Sequence, residues 1–258
     1  MSMPRWMLPL AIAAVALVIV PLAAMALEVP WRDLPMLLTS SASLEALWLS
    51  MRTALTATVL CVLLGFPLGY ALASWESRWQ PLARAIVLAP LVLPPVVGGL
   101  ALLYAFGRGG LLGQPLDAIG IDIAYTSTAV VIAQTFVAMP FMVLSTESAL
   151  RSRSGHHELI AATLGSSRSH TFWHITAPAV LPALATGTVL AFARALGEFG
   201  ATLTFAGSLE GVTRTLPLEI YLQRESDSAV AVALAIVLVA VAIAVVALAY
   251  RPPLRSAR

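Results

Sequence analysis

Six apolar runs, each near the twenty or so residues a helix needs to cross a bilayer, limit what this chain can fold into. They are Trp6 to Leu27, Leu47 to Ser74, Ala85 to Phe106, Thr126 to Leu150, Ala179 to Thr202 and Ala229 to Tyr250. Only 11% of the residues are charged and 59% are hydrophobic, whereas soluble domains carry about 25% charged residues. The expectation is an all-α integral membrane protein with six transmembrane helices, residues 1–258 forming a single transmembrane domain. A signal peptide competes for the first run, but its apolar core is too long and lacks a clear small-x-small cleavage site, which favours an uncleaved helix. The third run holds Pro90, Pro94, Pro95, Gly98 and Gly99. A broken helix is expected there, with Pro94, Pro95, Gly98 and Gly99 as its candidate residues. Irregular backbone at membrane depth must face protein or a watery cavity.

Arginine placement orients the chain. All fifteen basic residues are arginine. With both termini cytoplasmic, the inner segments hold Arg5, Arg78, Arg84, Arg151, Arg153, Arg168, Arg251, Arg255 and Arg258. The outer ones hold only Arg32, Arg108, Arg214 and Arg224, so the positive-inside rule favours that orientation. A net charge of +2 is too small to suggest nucleic acid. No P-loop pattern occurs, so any ATP hydrolysis belongs to another chain. The lone cysteine, Cys61, excludes an intrachain disulfide. His156, His157, His170 and His174 lack nearby acidic or cysteine partners and read as loop residues, with no metal site. Arg52, near the outer end of the second run, would meet an acidic neighbour or an entering anion; pairing is favoured.

The longest segment between membrane-length runs on the inner side is the loop 151–178. Glu158, Leu159, Ile160, Ala161, Ala162 and Leu164 suit a short helix stopped by Gly165 in a left-handed cap. A polar link, Ser166 to His170, follows, then a second amphipathic piece from Phe172 to Ile175. Pro178 and Pro182 are expected to mark the return into the membrane. Such a helix–turn–helix offers a partner protein a rigid knob.

The fifth run ends ARALGEFGATLTFAG. Arg194 and Glu198, four residues apart, share a helix face and can pair. Two readings stay open: a structural ion pair, or a pore-lining face on which Arg194 attracts an anion. Gly197 and Gly200 permit close backbone approach, and Thr202 and Thr204 could supply hydroxyls.

In its spacing of Ala161, Gly165, Ile175 and Pro178, the loop resembles the signature of binding-protein-dependent ABC importer permeases. It departs at two positions: Leu159 stands where that family has glutamate, with Glu158 one residue early, and Ala177 stands where it has leucine. The stretches GEFGATLTFAG, GVTRTLPLEIY and PLVLPPVVGGLALLYAFGRGGLLG are similar to the molybdate branch of those permeases, whose sulfate and thiosulfate relatives share the first element. The resemblance spans roughly Leu47 to Tyr250. It implies a type I importer fold with a coupling helix between helices 4 and 5, and transport of molybdate or tungstate across a bacterial or archaeal plasma membrane. Two copies of an ATPase subunit would contact Glu158, Ala161, Ala162, Gly165, Arg168, Ile175 and Pro178. A periplasmic or lipid-anchored oxyanion-binding protein and a second copy of the chain would complete the assembly. ATP and Mg²⁺ would sit on the ATPase, leaving this chain without cofactor or catalytic residue. The implied translocation path is Arg194, Gly197, Glu198, Gly200, Thr202 and Thr204. A sulfate or thiosulfate permease is the alternative within the class. An ion-coupled transporter using Glu198 as its carboxylate is the alternative outside it.

Overall fold

The structure, a computed structural model, describes residues 4–152 and 156–249. Among these residues every regular element is helical. Five helices are long and apolar enough to cross a membrane, and a bent pair makes a sixth candidate span.

The first span is α1, Met7–Leu27, none of whose residues is buried. A short α2, Leu34–Leu38, leads to α3, Ser41–Leu60. Ser40 starts α3 by accepting a hydrogen bond from the Ser43 amide, so this helix begins six residues before its apolar run. Polar residues in the first turn hide the start from a hydropathy reading. A π-helical turn, Cys61–Gly65, carries α3 directly into α4, Phe66–Ser74, making one span of 34 residues.

The third run is two helices. Gln80–Leu88 forms α5, extended by a 3₁₀ turn over Ala89–Leu91, and Pro95–Phe106 forms α6. The two halves meet at 109°. Pro94 has ψ 134° and Pro95 begins α6; a residue before proline is pushed out of the helical region, and proline suits a first turn. Gly98 and Gly99 lie beyond the break, inside α6, where they serve close packing. A Cβ on Gly99 would lie 2.7 Å from Thr204 Cβ and 2.8 Å from the Ala201 carbonyl oxygen.

After α7, Gly113–Asp117, the 25-residue α8, Ser127–Arg151, is capped by the Thr126 hydroxyl and forms the axis of the bundle. On one side its Ala138 and Met142 pack with Ala54, Ala57 and Cys61 of the second span and with Ala191, Ala195 and Leu196. On the other, Ala129, Val130, Ala133 and Val137 pack with Leu102, Ala201, Phe205 and Ala206. Small residues let the helix backbones approach closely.

The loop then folds as α9, His156–Thr163, and α10, Arg168–Thr171. The predicted re-entry at Pro178 is replaced by a continuous helix. From α10 a second π turn, Phe172–Thr176, runs into α11, Ala177–Leu196, so the fifth span covers Arg168–Leu196. Both π turns precede a proline by two residues, Pro67 and Pro178. Proline has no amide hydrogen for the carbonyl four residues back, and the widened turn absorbs that loss without ending the helix. The predicted helix to Thr202 also needs correction: α11 stops at Leu196 and α12 restarts at Gly200, running to Ala206. Finally, α13, Leu216–Ser226, leads into α14, Ser228–Ala249.

Candidate functional site

The breaks in the third and fifth spans meet inside the bundle. A Cβ on Gly200, the first residue of α12, would lie 2.7 Å from Pro95 Cβ at the head of α6, so this contact needs glycine. Leu196, at the end of α11, packs with Ala138 near the middle of α8. The interruption over residues 197–199 therefore sits deep in the bundle.

Glu198 organises this interruption. Its side chain is 1% exposed. Oε2 lies 2.7 Å from an Arg194 guanidinium nitrogen, and Oε1 accepts the Ala201 amide at 2.7 Å. One carboxylate thus holds the last turn of α11 and caps the first turn of α12. The charges also suit the helix ends, with a cation at a C-terminus and an anion at an N-terminus. Arg194 and Glu198 pair as expected, but across a break and not along one helix. Arg194 retains 29% exposure, so part of its guanidinium faces out of the core.

The other path candidates separate. Gly197 lies in the break and is exposed, with no close neighbour that demands glycine. Thr202 is fully buried, and its hydroxyl has no partner among the described residues. Thr204 donates to the Gly200 carbonyl and packs on Gly99. Arg194, Glu198, Gly200 and Pro95 form the compact group.

At the end of the bundle carrying α9, Gly165 has φ +79°. Its amide bonds to the Ala162 carbonyl and the Ser166 amide to the Ala161 carbonyl, the paired bonds of a glycine-terminated helix. Ala161, Gly165 and Ile175 line one surface hollow of about 500 Å³ together with Leu164 and His170. Arg168 and Ala162 line an adjoining hollow of about 240 Å³ with Tyr70 and Phe172. Phe172 stands against Phe66 and Tyr70, at ring separations of 6.2 and 5.8 Å, which ties the loop to the second span. Leu164 and Trp173 project, 81% and 68% exposed. Pro178 is exposed on the first turn of α11. The side chain of Glu158 lies outside the described residues. His170 and His174 stack at 4.0 Å, and no group of three metal-ligating side chains occurs among the described residues.

Sequence reading missed Glu147. It is 1% exposed, with Arg84 of α5 at 3.0 Å from one oxygen and Arg151 at 2.9 Å from the other. Arg151 also donates to the Leu72 carbonyl at 3.1 Å. The i,i+4 spacing of Glu147 and Arg151 was the available signal; nothing local points to Arg84. This clamp ties α5, whose Leu82 and Ile86 are exposed, to the end of α8. Either arginine can hold the carboxylate, so Arg84→Ala and Arg151→Ala should each cost about 1 kcal/mol. The double variant strands a buried carboxylate and should cost about 3–5 kcal/mol. Thermal unfolding of the purified single and double variants measures this non-additivity.

At the opposite end Glu219, 1% exposed, accepts from Gln223 at 2.7 Å and faces Arg214 at 3.4 Å. In the loop after α6, Arg108 holds Asp122 through two hydrogen bonds and keeps that carboxyl below its ordinary pKa.

The family described as binding-protein-dependent transport system inner membrane component matches residues 65–252. The molybdenum transport system permease protein ModB of Mycobacterium tuberculosis is 54% identical over 226 residues, covering 88% of this chain and 86% of the relative. ModB of Escherichia coli (strain K12) is 40% identical over 179 residues, covering 67% and 78%. Among solved structures, a bacterial ABC transporter involved in the import of the acidic polysaccharide alginate superimposes with TM-score 0.68 at 20% identity, over 95% of this chain and 92% of that one. The chain has the ABC importer permease fold. By family match and by identity along most of its length, it belongs to the binding-protein-dependent transport system inner membrane components.

Proposed function

We propose that this chain is the membrane permease subunit of an ABC importer that carries molybdate, or the nearly isosteric tungstate, into the cell. The likeness to ModB along most of both chains carries the substrate assignment. The meeting of two broken spans at a partly exposed arginine supports the route. On this reading the α9 end is cytoplasmic, as the arginine distribution favours. A soluble binding protein delivers the oxyanion from outside, and two copies of this chain enclose the path. The exposed apolar residues Val92, Val96 and Val97 around the third-span break suit contact with a second copy.

ATP and Mg²⁺ belong to a separate ATPase, one subunit seated on each α9 knob. Ala161, Gly165 and Ile175 shape the hollow beneath the knob, Ala162 and Leu164 present its outer surface, and Arg168 lies at the rim. Pro178 begins the helix that leaves it. ATP binding and hydrolysis favour different states of a bistable bundle, and this chain does no covalent chemistry. Inside the path Arg194 attracts the anion, while Glu198 keeps that attraction weak enough for release.

Arg194→Gln tests this role. Uptake should fall about tenfold, the size of one charge-assisted hydrogen bond, with assembly and ATPase stimulation retained. A loss of assembled complex, with normal uptake per surviving complex, would instead leave Arg194 as a brace for the break.

A further inference from the structure

Arg52 does not pair as the sequence suggested. It lies within the second span with its side chain exposed, and no carboxylate among the described residues reaches it. It opens on a groove between α3 and α8 of about 350 Å³, lined by Arg52, Thr53, Thr56, Ser127, Thr128 and Val131. Five of these six residues are polar, on helices that are otherwise largely apolar. An arginine at membrane depth is costly against lipid and normally faces water or protein.

The groove has a definite place in the bundle. Just beyond it Ser50 accepts the Leu216 amide and Ser127 donates to the Val212 carbonyl, which pins it beneath the segment leading to α13. Just inside it Ala54 and Ala57 pack with Ala195 and Leu196, beside the Arg194–Glu198 break. Thr53 and Thr56 spend their hydroxyl hydrogens on backbone carbonyls of α3. The guanidinium and the Thr128 hydroxyl therefore remain as donors, and the first-turn amides of α8 add to the positive field.

We infer that this groove is a receiving site for the transported tetrahedral oxyanion, a step outside the Arg194–Glu198 break. The inference rests on the transport reading above. Arg52 supplies the charge, Thr128 a hydrogen bond, and the absence of a carboxylate leaves the cation free for an incoming anion. A phospholipid phosphate shares this chemistry, and the test separates the two.

The experiment uses the full assembly of permease, ATPase and binding protein. Labelled tungstate binding is measured in detergent freed of phospholipid, and molybdate uptake in vesicles. Arg52→Gln should remove one bound tungstate per permease and lower uptake at subsaturating molybdate about tenfold. Arg52→Lys should retain most of both, and Thr128→Val should weaken both. Stimulation of the ATPase by loaded binding protein should be unchanged. Equal tungstate binding and uptake in wild type and Arg52→Gln would overturn the site. Loss from Arg52→Gln of phospholipid that copurifies with the wild type before delipidation, with tungstate binding unchanged, would give Arg52 to a lipid phosphate and also overturn it. Loss of ATPase stimulation would give Arg52 to the binding protein and overturn it as well. Failure of the wild type to move any oxyanion would instead remove the transport reading, and this site with it.

Discussion

Replacing Glu198 with alanine is expected to abolish oxyanion uptake and to destabilise the permease by about 3 kcal/mol. The figure is the lower end for breaking a buried ion pair, because the stranded Arg194 can still reach solvent. Two interactions go at once: the 2.7 Å pair to Arg194 and the 2.7 Å cap on the Ala201 amide. The start of α12 then loses its fixed position against Pro95, where Gly200 has no spare room. Glu198→Gln separates the two roles, since its carbonyl oxygen can still cap Ala201 while the negative charge is gone. Its unfolding temperature should lie between those of the wild type and Glu198→Ala, because the cap survives and the ion pair does not. Uptake should still fall because Arg194 now holds the anion too long. Uptake equal to wild type in Glu198→Gln would reduce the pair to a packing device. Thermal unfolding and vesicle uptake on the same preparations read both effects.

The second large effect is expected at Gly165. Valine there has space, because a Cβ meets nothing within 4 Å, so the penalty is conformational. At φ +79° a β-branched residue is strongly disfavoured, a local cost of order 1–3 kcal/mol. The chain escapes by changing the turn between α9 and α10. That re-aims the α9 knob while the membrane spans, packed elsewhere, stay intact. Gly165→Val should insert normally and unfold near the wild-type temperature. ATP hydrolysis by the partner ATPase in the assembled complex should no longer drive transport, with uptake down at least tenfold. Gly165→Asn should be milder, since asparagine tolerates the left-handed region. Normal coupled uptake by Gly165→Val would remove the loop from the coupling pathway.

Much of this architecture was legible in the chain because its signals are local. Membrane-length apolar runs mark the spans, Pro94 and Pro95 mark the turn in the third, and Gly165 marks the end of α9. What escaped depends on contacts between distant segments or on exceptions to local rules. Arg194 and Glu198 have the spacing of a helical pair, so the sequence suggested a helix continuing through them. In the fold Glu198 caps the next helix and the chain breaks between the two. Pro178 reads as a boundary, yet a π turn carries the fifth span through it. Pro67 plays the same part in the second span. Glu147 was passed over because Arg84 comes from another span, and only folding brings it to 3.0 Å. For Arg52 the sequence allows an acidic neighbour or an entering anion and favours pairing, because nothing local shows that the fold sets it on a hydroxyl-lined groove.

Oxyanion import driven by a separate ATPase is measured as ATP-dependent uptake in vesicles holding this chain, its ATPase and its binding protein, with molybdate, tungstate and sulfate in competition. Molybdate uptake should be saturable, require ATP, be inhibited by tungstate and be unaffected by excess sulfate. Uptake blocked by sulfate would keep the fold and move the substrate to the sulfate group. No ATP-dependent uptake of any oxyanion by a fully assembled complex would mean that the chain is not the permease of an oxyanion importer.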